Sequence, residues 1–179
     1  MTQYNIIAES QEYTVVAEFD HVATPAEAYQ SEADLEKEFI RLLGEQGYEY
    51  LPIHKEADLI FNLRDQLEKL NHYHFTDNEW EHFFNECIAN KNDDIVAKTA
   101  KIQDDYIQVL KRDTGESQNI KLIDKDNIHN NFVQVINQYV EEGGNYDTRY
   151  DVSILVNGLP LVHIELKRRG VQLKEAFNQ

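Results

Sequence analysis

The sequence predicts a mixed α/β (α+β) fold, with helices before the strands and at least one after them. Three observations carry this expectation. Apolar residues recur at helical spacing through much of residues 31–88, the period shortens to two from Tyr106 onward, and residues 171–179 read as the first turns of another helix.

The elements follow in order. Residues 13–19 alternate and read as a strand. Ser31 opens a helix with Leu35, Phe39, Leu42 and Leu43 at near-heptad spacing; Gly44 and Gly47 mark its end, and Glu32 and Glu36, four apart, share one flank. A second helix is expected over about 62–71. Thr76-Asp-Asn-Glu79 forms a capping box ahead of Trp80, Phe83, Phe84, Cys87 and Ile88, large residues that point to a core rather than to a base-stacking platform. A short helix is expected from near Asn92, whose side chain would cap it. Residues 106–111 and 119–123 flank Asp113-Thr-Gly115 as a hairpin, residues 132–140 form a strand closed by Gly143-Gly144, and a second hairpin follows in YDVSILVNGLPLVHIELK, residues 150–167.

A chain of 179 residues with 41% hydrophobic content fits one domain with a sizeable core. It has no apolar run of the roughly 20 residues that span a bilayer and no secretory leader pattern, so a soluble, intracellular protein with no membrane partner is expected. The single cysteine, Cys87, can form no internal disulfide, which fits a reducing compartment. A formal net charge of −16 excludes a general nucleic-acid-binding surface, which needs clustered Lys and Arg. The charge is uneven, however: from Arg149 onward the chain carries +2, which leaves −18 on the remainder. The second hairpin lies in this basic part.

Strand alternation puts Val152, Ile154 and Val156 on one face of that hairpin's first arm, and Val162, Ile164 and Leu166 on one face of its second. A two-residue Asn157-Gly158 turn would set Val152 opposite His163 and apolar against polar at every rung. A three-residue loop, Asn157-Gly158-Leu159, or a bulge with the same effect, instead pairs Val152 with Ile164, Ile154 with Val162 and Val156 with Pro160. Asp151 then falls opposite Glu165, with Cβ atoms roughly 4.5–5.5 Å apart, and Lys167 is the next residue on that face. Two bare carboxylates at ~5 Å repel by about 3 kcal/mol at an effective dielectric near 20. A divalent cation shared between them offsets that cost, and hard oxygen ligands with retained waters suit Mg²⁺. A lysine alongside can position or deprotonate a water, which equips the site for metal-assisted phosphodiester hydrolysis.

Asp151, thirteen intervening residues, and Glu165-Leu166-Lys167 resemble the PD-(D/E)xK nuclease motif, and Glu165-Leu-Lys167 is the chain's only acidic-x-Lys triplet. The wider stretch RYDVSILVNGLPLVHIELKRRG, followed by EAFNQ, resembles the N-terminal endonuclease domain of the restriction (R) subunit of type I restriction-modification enzymes. The likeness is dense over about 130–179 and thinner in LEKEFIRLLGEQGYEYLP and LEKLN…EWEHF. It implies a PD-(D/E)xK restriction-endonuclease-like core, a mixed central sheet flanked by helices, forming a single domain over 1–179, with helical and hairpin elaboration at about 48–130 and catalytic strands and hairpin at about 131–179. It further implies that Asp151, Glu165 and the main-chain carbonyl of Leu166 bind Mg²⁺ and that Lys167 assists the attacking water. Gln179 matches the glutamine of the family's Gln-x-x-x-Tyr motif, and Glu36, ahead of Glu32, matches its early-helix acid.

The resemblance also implies a prokaryotic, cytoplasmic enzyme that cleaves double-stranded DNA beside methyltransferase and specificity subunits. Family members carry an ATP-driven motor after the nuclease, and no phosphate-binding Gly-x-x-x-x-Gly-Lys-Ser/Thr loop occurs here, so an excised nuclease domain is expected, with ATP used only through motor domains outside it. The alternative is a catalytically silent, nuclease-like docking module that anchors the motor to the methyltransferase. Arg168, Arg169 and His163 are candidate DNA contacts, set against a solvated basic pair and a histidine that fills a sheet face. His72, His74, His82 and Cys87 fit no familiar zinc spacing, and Cys87 completes an apolar helix face.

Overall fold

The computed structural model describes residues 4–9, 15–19, 31–141 and 148–167, which fall in two units, 1–30 and 31–179. In the first unit, β1 (Tyr4–Glu9) pairs antiparallel with β2 (Val15–Phe19), with a register shift between Ile6 and Ala8. β2 occupies most of the stretch whose alternation predicted a strand.

The second unit opens with α1 (Glu32–Glu45), capped by Ser31, whose side chain accepts from Asp34 N–H. Gly44 lies inside this helix; Gly47, at φ 93°, follows its end. The stripe turned inward is Leu35, Glu36, Phe39, Ile40 and Leu43, whereas Leu42 is exposed, so the helical period selects a face rotated slightly from the one expected. A short strand, β3 (Glu49–Tyr50), leads to α2 (Glu56–Asn71). This helix begins six residues before the expected start. Its N-cap, Lys55, makes no side-chain capping bond, and Phe61 is an exposed apolar residue in its first half, so both sequence signals for a start are absent. α3 (Asp77–Phe83) carries the expected capping box between Thr76 and Glu79 and runs into a π-helical turn, Phe84–Ile88. The last helix before the sheet, α4 (Ile95–Gln103), is capped by Asp94 rather than Asn92: the Asp94 carboxylate accepts from Ala97 N–H at 2.8 Å.

β4 (Ile107–Lys111) and β5 (Ser117–Lys121) form the expected first hairpin. Their Leu110 and Ile120 join Leu63, Leu67, Phe75, Trp80 and Phe83 in one apolar cluster, so the aromatic run of α3 is core. β6 (Val133–Glu141), β7 (Thr148–Val156) and β8 (Leu159–Ile164) complete a four-stranded mixed sheet in the order β3-β6-β7-β8, with β3 parallel to β6 and the other pairs antiparallel. Alternation sends neighbouring residues to opposite faces. Val135 and Val152 pack with Leu43, Phe39 and Ile40 of α1, while Ile136 and Leu155 pack with Leu59 of α2. Helices therefore cover both faces of a mixed sheet, and the fold is α/β.

The second hairpin reaches the expected register by the bulge and not by the three-residue loop. Asn157 (φ 52°) and Gly158 (φ 81°) form a two-residue turn, so Val156 pairs with Leu159 and Leu155 with Pro160. Leu161 is then inserted as a bulge, and from Val162 onward the register is Ile154↔Val162, Ser153↔His163 and Val152↔Ile164. The bulge restores apolar-to-apolar pairing that the tight turn alone would have broken. The turn lies close against α2: a Cβ on Gly158 would be 2.6 Å from Leu63 Cα. Asn157, fully buried, locks it further, accepting from Phe132 N–H at 2.9 Å and donating through Nδ2 to the carbonyl of Leu122 and to Asn131 Oδ1.

Candidate active site

β7 and β8 stop pairing at Val152↔Ile164, and one residue beyond that rung lie Asp151 on β7 and Glu165 just past β8. The strand ladder is replaced there by a side-chain latch, in which Leu166 N–H donates to Asp151 Oδ2 at 2.8 Å. Ile164 and Leu166 pack with Val152 and Ile154 on the α1 face, which anchors the chain on both sides of Glu165. Lys167 Nζ donates to Glu165 Oε1 at 2.7 Å, and the lysine side chain is mostly covered, at 17% exposure. The hydrogen bond to Glu165 is the main cause that holds the Lys167 ammonium above its ordinary pKa; burial opposes it, and the charges of Glu165, Glu32 and Asp151 add to it. Asp151, Glu165 and Lys167 therefore share one electrostatic neighbourhood, and Glu32 of α1 borders it.

Glu36 sits on the inward stripe of α1 amid apolar neighbours. Its carboxylate accepts from Asn137 Nδ2 at 2.6 Å and from Gln138 Nε2, both on β6. Tyr50 of β3 donates its hydroxyl to Asn137 Oδ1 at 2.9 Å. In the β6–β7 ladder Asn137 pairs with Val152 and Tyr139 with Tyr150, so Gln138 falls opposite Asp151 and Glu36 is held beside the Asp151 rung. Gln138 adopts left-handed backbone, φ 53°, which costs a non-glycine residue of order 1–3 kcal/mol. Asn137, Gln138 and Tyr50 did not emerge from sequence patterning. The one signal was the polar pair Asn137-Gln138 interrupting an apolar strand.

His163 lies on the α2 face, where its Nδ1 is 2.8 Å from Ser153 Oγ and its ring stacks on Tyr150 with centroids 4.0 Å apart. Cys87 packs against the helical core and His74 pairs with Glu68. Arg168, Arg169, Gln179 and the helix expected over 171–179 lie outside the described residues.

Among the described residues no three His, Cys, Asp or Glu side chains converge as a metal cluster. The candidate donors are of another kind: the carboxylates of Asp151 and Glu165, the carbonyl of Leu166, and, at the register position opposite Asp151, Gln138, whose amide oxygen is buried without a hydrogen-bond partner among the described residues. An all-oxygen set with few carboxylates suits a hard cation that keeps part of its hydration shell, as Mg²⁺ does, and does not suit zinc.

Residues 29–179 match the family described as Type I restriction enzyme R protein N terminus. The chain is 47% identical over 174 residues to the type I restriction enzyme EcoprrI endonuclease subunit of Escherichia coli, covering 97% of this chain and 55% of that protein. It is 40% identical over 156 residues to the type I restriction enzyme SsaAORF53P endonuclease subunit of Staphylococcus saprophyticus, covering 84% of this chain and 16% of the relative. The corresponding SauMSSORF170P subunit of Staphylococcus aureus is 39% identical over 157 residues, at 85% and 16% coverage. The chain thus spans between 16% and 55% of these relatives' lengths.

Proposed function

This chain belongs to the family of type I restriction enzyme R-protein N termini, and from that premise we propose that it is the DNA-cleaving unit of such an enzyme, a Mg²⁺-dependent endonuclease acting on double-stranded DNA. The observation that carries the reading is the latch between Leu166 N–H and Asp151, which ties the Glu165-Leu166-Lys167 segment to the aspartate of the neighbouring strand. A silent docking module would have no use for two acids and a lysine held together where strand pairing ends.

Asp151, Glu165 and the Leu166 carbonyl would hold the Mg²⁺ ion. When bound, Mg²⁺ supplies Lewis-acid polarisation of the phosphodiester. The chain's own groups do the rest. Asp151 is fixed by the Leu166 N–H through one oxygen, which orients the other without reorganisation. Lys167, kept protonated by Glu165, stabilises negative charge on the attacked phosphate and orients the incoming water. Glu36, clamped by two amides, is a second carboxylate at the Asp151 rung.

The net charge of −16 repels duplex DNA from most of the surface, so productive contact depends on delivery by other parts of the enzyme. In this reading an ATP-driven motor in the remainder of the R subunit supplies the DNA, the methyltransferase and specificity subunits complete the assembly, and the complex works in a prokaryotic cytoplasm. Among the described residues no helix is long and apolar enough to cross a membrane.

The test is calorimetric titration of the 179-residue chain with Mn²⁺, paired with cleavage by the assembled enzyme. Asp151→Ala is expected to abolish both. Wild-type Mn²⁺ affinity in that variant would reject the reading.

A further inference from the structure

Two neighbouring residues of a strand face opposite sides of the sheet, yet Asn137 and Gln138 both bind the same Glu36 carboxylate. Gln138 manages this by adopting left-handed backbone, φ 53°, which glutamine rarely occupies. An inserted residue would be the ordinary reason for such a kink. None is inserted: the register across β6 and β7 is the same on both sides, Asn137↔Val152 and Tyr139↔Tyr150. The Leu161 bulge, by contrast, does shift its ladder. What changes across Gln138 is the face: Ile136 and Tyr139, three residues apart, pack in one cluster with Leu155 and Tyr150, so the left-handed residue switches the alternation of β6 without shifting its register. Only one of the two polar atoms of the Gln138 side chain is bonded among the described residues. Nε2 reaches Glu36, while Oε1 is buried with no partner among them, and the register sets residue 138 opposite residue 151.

We propose that Gln138 is a positioning residue of the divalent-cation site: it is turned out of the ladder so that its amide N–H clamps Glu36 and its amide oxygen faces the hydration shell of the cation held by Asp151 and Glu165. The inference rests on the reading under Proposed function and adds a residue to it. It accounts for two otherwise separate observations, the shared carboxylate and the unpartnered oxygen. The kink that turns Tyr139 back to the face of Ile136 is also what brings the Gln138 amide to Glu36.

The test uses the 179-residue chain with Mn²⁺ as the probe and two variants. Gln138→Gly relieves the left-handed strain and removes the amide; Gln138→Met keeps the bulk and the strain but removes the amide. Both are expected to bind Mn²⁺ at least about tenfold more weakly by calorimetry, the scale seen when outer-shell partners of a metal site are lost. The metal-free Tm of Gln138→Gly is expected to equal or exceed that of the wild type, a split that a purely structural residue would not give. Wild-type affinity in either variant overturns the proposal, as does a Gln138→Gly protein whose metal-free Tm falls together with its affinity. Asp151→Ala separates the two levels of the argument. Retained Mn²⁺ binding there rejects the cation site itself, whereas loss there beside wild-type binding in the Gln138 variants rejects only the role of Gln138.

Discussion

Leu166 N–H donates to Asp151 Oδ2 at 2.8 Å, so the residue between Glu165 and Lys167 is latched to the neighbouring strand at the point where main-chain pairing ends. One oxygen of this carboxylate thus has a structural role as an acceptor, and substitutions separate that role from its charge. Asp151→Asn keeps an acceptor for Leu166 but loses the charge. Its stability to urea is expected to stay within about 0.5 kcal/mol of the wild type, while Asp151→Ala, which leaves the N–H unmet, loses about 1 kcal/mol. Mn²⁺ binding is expected to fail in both.

Lys167 is held above its ordinary pKa first by its hydrogen bond to Glu165. A raised folded value stabilises the fold fully below the unfolded value of about 10.4 and loses that contribution as pH climbs through the folded value. An NMR titration of the Lys167 side chain is expected to show a midpoint above 10.4, and Glu165→Gln to move it down. An unchanged midpoint in Glu165→Gln would contradict the pairing. At neutral pH and without bound metal, the wild-type lysine is an ammonium.

Gly158 combines positive φ with an approach to α2 that leaves no room for a Cβ. Gly158→Ala is expected to cost about 2–3 kcal/mol in urea unfolding, from backbone strain and the clash with Leu63 together. A near-neutral result would mean that α2 does not rest on the hairpin turn as described.

Glu79, 3% exposed, titrates below the usual carboxylate range. Burial works against its charge, but the Tyr73 hydroxyl and the main-chain N–H groups of Thr76 and Asp113 outweigh it. A depressed folded value contributes stability above the unfolded value of about 4.3 and loses it as pH falls through the folded one. Glu79→Gln is expected to lose about 1–3 kcal/mol at pH 7 and to flatten the acid limb of the stability curve. An acid limb as steep as the wild type's would assign that loss to other groups.

Local chemistry was legible wherever it repeats over short distances. The capping box at Thr76 and Glu79, the hairpin around Gly115 and the strand over 132–140 follow from turn residues and periodicity. So does the register Val152↔Ile164, because apolar alternation tolerates only one pairing of two half-buried strands. The start of α2 carried no capping residue and so left no local mark. The β7–β8 register is reached by a tight Asn157-Gly158 turn and a bulge, one of the two routes the sequence left open, whereas the close approach of α2 to Gly158 joins residues 95 positions apart.

The clamp on Glu36 is of the same kind. It joins α1 to β6 across 101 and 102 positions, and the left-handed turn of Gln138 that completes it has no counterpart in the propensity of glutamine. Periodicity encodes which face of an element is buried, since that depends on neighbours three or two residues away. It does not encode which side chains of different elements meet once those faces pack, because that depends on the helix crossing the sheet.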